Sequence, residues 1–196
     1  MMWLGCVGCC ASAEKGATVI FRASVGEPEI AQRFAQALTK VLTPASSQPV
    51  LWLCIGTDTA VGDCLGPLVG TLISERMPDL KVIGTLDQPL HAGNITARIE
   101  ELRYFHPTPF TVAIDASLGK PAHVGCVTIR QGALWPGAGL RRRLPPVGQV
   151  AITGVIGTHF SWNEEHILHR TRLSLVWKMA CTIVEGIQVL YAGQKK

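Results

Sequence analysis

Acidic side chains follow directly on three apolar runs of strand length, and these are the positions where chemistry is to be sought. Val50-Leu51-Trp52-Leu53-Cys54-Ile55 leads into Gly56-Thr57-Asp58-Thr59-Ala60-Val61-Gly62-Asp63-Cys64-Leu65-Gly66-Pro67. A second run ends in Leu86-Asp87-Gln88-Pro89-Leu90-His91-Ala92-Gly93-Asn94, and a third in Ile114-Asp115-Ala116-Ser117-Leu118-Gly119. Ligands of open α/β sheets bind beyond the carboxyl ends of the strands, so each run brings a carboxylate to one edge. With neighbouring strands about 5 Å apart, Asp63 and Asp115 are expected to face a shared cleft. Two carboxylates there cannot both ionise comfortably, so one keeps a proton near neutral pH. One member then activates water while the other protonates a carbonyl oxygen or a leaving amine. The same geometry with a histidine added would instead hold a divalent metal and acidify its water.

Ordinary structural roles compete at each position. Asp63 stands just ahead of a helical pattern, where a carboxylate caps free N–H groups and favours the helix dipole. Asp58, in a Gly/Thr-rich stretch, suits a turn. Asp87 and His91 sit in a loop, where both would commonly be solvated. Asp115 is the hardest to explain structurally, because a carboxylate directly after Val-Ala-Ile is costly to bury. Other motifs are weaker. The glycines from Gly56 to Gly66 have neither the G-x-G-x-x-G order nor a G-K-[ST] ending. His166 and His169 follow Glu164-Glu165 without forming H-E-x-x-H, and are read as the outer face of the last helix. No G-x-S-x-G occurs, and Arg141-Arg142-Arg143 reads as a solvated loop or a site for an acidic peptide.

The elements that must position these residues alternate. A helix is expected from Pro28 with Ile30, Phe34, Ala37, Leu38 and Val41 on one face. Residues 50–55 form a strand, and their unbroken apolarity fits burial on both faces of a parallel sheet. Leu65, Leu68, Val69, Leu72 and Ile73 then repeat at helical spacing. Residues 81–86 read as a strand, Asn94 as the N-cap of a helix carrying Ile95, Ile99 and Leu102, and residues 110–114, 124–129 and 147–156 as further strands. Ser161 and Glu164 resemble a capping box before a long last helix with Leu168, Leu175, Met179, Ile183, Ile187 and Leu190 inward. Such alternation implies one three-layer α/β/α domain around a mostly parallel twisted sheet of about five strands, spanning residues 18–196.

Composition agrees. The 196 residues are 47% hydrophobic and 16% charged, which excludes disorder and a heptad coiled coil. A net charge of +4 from scattered residues does not suggest nucleic acid, and no run of about 18 consecutive apolar residues suggests a membrane span. The seven cysteines have no disulfide-framework spacing. They are read as free thiols, with Cys54 and Cys181 buried, in a reducing cytosolic setting. Cys6, Cys9 and Cys10 fall in residues 1–17, read as a loosely ordered extension without the pattern of a secretory signal.

Taken together, Ile55-Gly56-Thr57-Asp58, Gly62-Asp63-Cys64-Leu65-Gly66-Pro67 and Gly84-Thr85-Leu86-Asp87-Gln88-Pro89-Leu90-His91-Ala92 resemble the YyaC-like spore proteases of spore-forming bacteria. Ala113-Ile114-Asp115-Ala116, Pro145-Pro146-Val147-Gly148 and Ile152-Thr153-Gly154 extend the resemblance, which runs from about Val19 to the C-terminus. That family is similar to germination proteases and, more remotely, to hydrogenase maturation endopeptidases. The resemblance implies the same three-layer fold and an atypical aspartic peptidase acting on small acid-soluble spore proteins. It implies that Asp63 and Asp115 are the catalytic pair. Hydrogenase peptidases hold nickel through Glu, Asp and His. Asp63 and Asp115 match the first two positions, but residues 144–150 contain no histidine, so His91 or His159 would have to substitute.

The expectation is therefore an aspartate-dependent endopeptidase of sporulation or germination. Asp63 and Asp115 would be catalytic, with Thr57, Asp58, Asp87 and His91 shaping the pocket. No cofactor or metal is expected. Its partners would be a peptide or small protein substrate and possible further copies of itself, with no nucleic acid or membrane, and its location would be cytoplasmic or in the spore core. A metal-assisted maturation-type peptidase and a non-catalytic peptide-binding module on the same fold are the alternatives.

Overall fold

A computed structural model describes residues 18–45, 48–102, 104, 108–137, 144–158 and 168–194. Cys6, Cys9 and Cys10, the three arginines, His159, His166 and the Ser161/Glu164 box lie outside these residues. The strands are β1 (Thr18–Ser24), β2 (Val50–Cys54), β3 (Lys81–Ile83), β4 (Phe110–Gly119), β5 (Cys126–Gln131) and β6 (Val150–Thr158). The helices are α1 (Ile30–Leu42), α2 (Leu65–Arg76), α3 (Ile95–Leu102) and α4 (Leu173–Gln194).

One six-stranded sheet has the order β1-β5-β6-β4-β2-β3. β3, β2, β4 and β6 are mutually parallel, while β5 runs antiparallel to both of its neighbours. The pleat sends alternate residues to opposite faces. Trp52, Cys54, Val112, Ile114, Val150 and Ile152 join the larger core under α1, α2 and α4. Leu51, Leu53, Ile55, Ala113 and Ala151 join a smaller one, against Ile95, Ile99 and Leu102 of α3. Helices thus cover both faces, and the mostly parallel α/β/α architecture expected from the sequence is the one observed.

The sheet has one strand more than expected. β1 went unread because an edge strand pairs on one side only. Its single fully buried residue is Ala23, and Arg22 interrupts its apolar run. β4 is longer than residues 110–114, since its ladder with β6 continues to Gly119↔Thr158. β3 is shorter than residues 81–86, ending at Ile83 just before Gly84, whose φ is +98°.

On α4, Val176, Met179, Ala180, Ile183, Val184, Ile187 and Leu190 are buried. Residues Leu173–Gly193 are long and apolar enough to cross a membrane by length and composition, and 50% of that window is buried inside the domain. That burial matches a helix closing the larger core. Of the cysteines expected to be buried, Cys54 is and Cys181 is half-buried. Cys64 and Cys126 are also buried, and all four are free thiols.

Candidate active site

The residues after β2 fold back over a glycine. Gly56 has φ +139°, and a Cβ there would stand 2.0 Å from the Asp63 carbonyl oxygen. Only glycine allows the chain to pass so close beneath this turn. Val61–Cys64 forms one 3-10 turn, and the Thr57 amide donates both to the Asp63 carbonyl (3.2 Å) and to its Oδ2 (3.1 Å). Gly66 repeats the device at the start of α2, where a Cβ would lie 2.0 Å from the Ile55 carbonyl oxygen. The helix therefore begins against the end of β2, and Asp63 is fixed at that junction. The Asp63 carboxylate does not cap α2: Cys64 occupies the N-cap position, with no side-chain capping bond.

Asp115 lies in the middle of β4, not beyond its end, because pairing with β6 carries the strand past it. Ala113 belongs to the α3 side of the sheet and Ile114 to the other, so Asp115 points to the α3 side. It is 9% exposed, a buried carboxyl. Burial raises its pKa well above the ordinary carboxylate value, the negative charge of Asp63 raises it further, and the Ala116 amide opposes both. Asp63 is also raised by burial, but the Thr57 amide and the positive field of His91 work against that rise. The turn after β2 and the middle of β4 thus bring Asp63 and Asp115 into electrostatic contact, with Asp115 the stronger holder of a proton.

His91 comes from the loop between β3 and α3. The Leu90 carbonyl accepts the Gly56 amide (2.8 Å), and Ile55 bridges to Leu90, so this loop is laced to the end of β2. Asn94 Oδ1 accepts the His91 amide (2.9 Å) and its Nδ2 donates to the Pro89 carbonyl (3.0 Å). His91 Nδ1 accepts the Gly93 amide (3.0 Å).

The remaining sequence candidates are placed less centrally. Thr57 joins the site through its amide, while its hydroxyl turns to Thr59 (3.0 Å). Asp58 is exposed, though its charge, with that of Asp63, raises the Cys64 thiol pKa that burial has already lifted. Asp87 is exposed. Among the described residues, no three His, Cys, Asp or Glu side chains converge as metal ligands would. Two surface grooves lie elsewhere, one between α1 and α4 at Ala31, Gln32 and Val189, the other beside α3 at Ile99, Leu102 and Pro146.

Sequence reasoning about the site missed Thr153. It stands opposite Asp115 in the β4–β6 ladder and is 4% exposed. A threonine inside the apolar run Val150-Ala151-Ile152 was the available signal.

The family described as "Protein of unknown function (DUF1256)" matches residues 22–186. The chain is also similar to the uncharacterized protein YyaC of Bacillus subtilis (strain 168), with 38% identity over 160 residues, 81% of this chain and 78% of that protein.

Proposed function

This chain belongs to the DUF1256 family, and from the site built on its fold we propose that it is an aspartate-dependent endopeptidase. The observation that carries the reading is the electrostatic coupling of a half-buried carboxyl, Asp63, in the turn after β2, with a buried one, Asp115, in the middle of β4. Pairs of titratable groups whose surroundings push their proton affinities apart mark acid and base roles. Asp63, held by the Thr57 amide and favoured as an anion by His91, is the base. Asp115, deeply buried and facing that anion, is the acid.

In the reaction, Asp63 takes a proton from water as the water oxygen bonds to the substrate carbonyl carbon. Asp115 gives its proton to the carbonyl oxygen. Asp63 then returns its proton to the amide nitrogen, the C–N bond breaks and a free amine leaves. As the carbonyl re-forms, its proton goes back to Asp115, and the net consumption is one water per bond cut. The resemblance to spore and germination proteases suggests a small acid-soluble spore protein or a protein precursor as substrate, and a role in sporulation or germination inside the cell.

The test is cleavage of a small acid-soluble spore protein by the full chain. Wild type is expected to cut it, and Asp63→Asn and Asp115→Asn are each expected to lower the rate by about 100-fold or more, with unchanged circular dichroism. Cleavage by either variant at the wild-type rate contradicts the reading.

A further inference from the structure

Among the described residues, the buried polar or charged side chains are Asp115, Thr128, Thr153 and Thr182. Three of these four form one row. Asp115 pairs with Thr153 across β4 and β6, and Thr153 pairs with Thr128 across β6 and β5. The flanking positions Ala113 and Ala151 are small and apolar and face the α3 side, so the pleat puts this polar row on that same face. The other two threonines have evident partners. Thr182 donates to the Lys178 carbonyl (2.8 Å), and Thr128 accepts from Arg22 Nε (3.3 Å). The Thr153 hydroxyl makes no hydrogen bond among the described residues.

Thr153 Oγ1 is not among the fully enclosed side-chain atoms that lack a partner, so the hydroxyl keeps enough exposure for a water to reach it, and an ordered water is the usual partner of such a group. Strands about 4.8 Å apart put Thr153 immediately beside Asp115, within reach of anything that carboxyl holds. We propose that Thr153 is a third catalytic residue, whose hydroxyl, with the Asp115 carboxyl, holds the water that attacks the substrate. This assignment rests on the peptidase reading, in which a water must lie between the two aspartates. The hydroxyl accepts or donates one hydrogen bond to that water and so fixes its lone pair toward the substrate carbonyl. It undergoes no covalent change.

The titratable and charged groups around the row are Asp63 and Cys64 from the turn after β2, and His91 from the loop after β3. Among the described residues, Arg22 on β1, which meets His123 at 3.3 Å, and Arg130 on β5 lie along the same row; β6 carries no charged residue. None of them replaces a hydroxyl on β6. Thr153→Val keeps the shape and removes the hydrogen bond, while Thr153→Ser keeps the hydroxyl.

The experiment measures cleavage of the spore-protein substrate by both variants, together with 13C NMR titration of the Asp115 carboxyl. Expected are a kcat about tenfold or more lower for Thr153→Val with KM within about twofold, and near-wild-type kcat for Thr153→Ser. The Asp115 titration should move to higher pH in Thr153→Val, because its anion loses a bound water. A Thr153→Val variant with wild-type kcat and an unmoved Asp115 titration overturns the assignment. If wild type cleaves nothing, the peptidase reading falls, and the titration still decides the local claim. A shift supports a water shared by Thr153 and Asp115, and no shift overturns it.

Discussion

Asp63, in the turn after β2, raises the proton affinity of Asp115, in the middle of β4. Neither residue reaches the other through its own element. β2 and β4 are neighbours in the parallel sheet, and the Ile55 amide donates to the Ile114 carbonyl (2.7 Å), so the residues that follow are brought side by side. A glycine under the Asp63 turn and a second at the start of α2 then set the first carboxyl against the second. The pair differs in surroundings, and that difference separates the roles of base and acid.

Burial of Asp115 sets a dependence of stability on pH. Its folded pKa lies above the ordinary unfolded value of about 3.9. The group therefore costs nothing below that value, and stability is lost as pH rises through the folded pKa. Asp115→Asn removes this loss. The variant is expected to be more stable than wild type at neutral pH. The gap should open near about pH 4 and widen by about 1.4 kcal/mol for each further pH unit until the folded pKa is reached. Urea unfolding at several pH values checks this; parallel stability curves for the two proteins contradict it.

His91 favours the ionised form of Asp63. Removing that field with His91→Gln raises the Asp63 pKa, so the base is available only at higher pH. The acid limb of the kcat/KM profile is expected to move to higher pH, with the rate on the plateau little changed. A His91→Gln profile that overlays wild type shows that His91 does not act on the pair.

Gly56→Ala tests the turn. Its Cβ would meet the Asp63 carbonyl oxygen at 2.0 Å, at a φ of +139° that side chains rarely adopt. The expected cost is about 1–3 kcal/mol or more of stability, together with loss of cleavage as Asp63 is displaced. Denaturant titration and the cleavage assay read the two effects. A variant as stable and active as wild type would mean that the turn moves freely.

Much of this architecture is legible in the sequence because burial leaves a periodic trace. The unbroken run Val50 to Ile55 marks a strand covered on both faces, and Leu65, Leu68, Val69, Leu72 and Ile73 mark the inner side of α2; all five are buried. β1 leaves little trace, since an edge strand with Val19 and Ile20 exposed needs no strict alternation. Asp115 could be picked out by the cost of burying it, but its place inside β4 depends on how far β6 extends, which no local pattern encodes. Asp87 and His91 look alike in sequence, two polar residues of one loop. Only hydrogen bonding by Asn94 and Gly56 shows that the His91 end is tied to β2 while Asp87 remains in solvent. Thr153 matters through register across strands, a relationship the order of residues does not contain.

The most direct test is 13C NMR titration of the Asp115 carboxyl in wild type and in Asp63→Asn. Shared protonation predicts a wild-type midpoint well above the ordinary carboxylate range, and a fall in that midpoint when the Asp63 charge is removed. An Asp115 midpoint that is the same in both proteins would contradict the account.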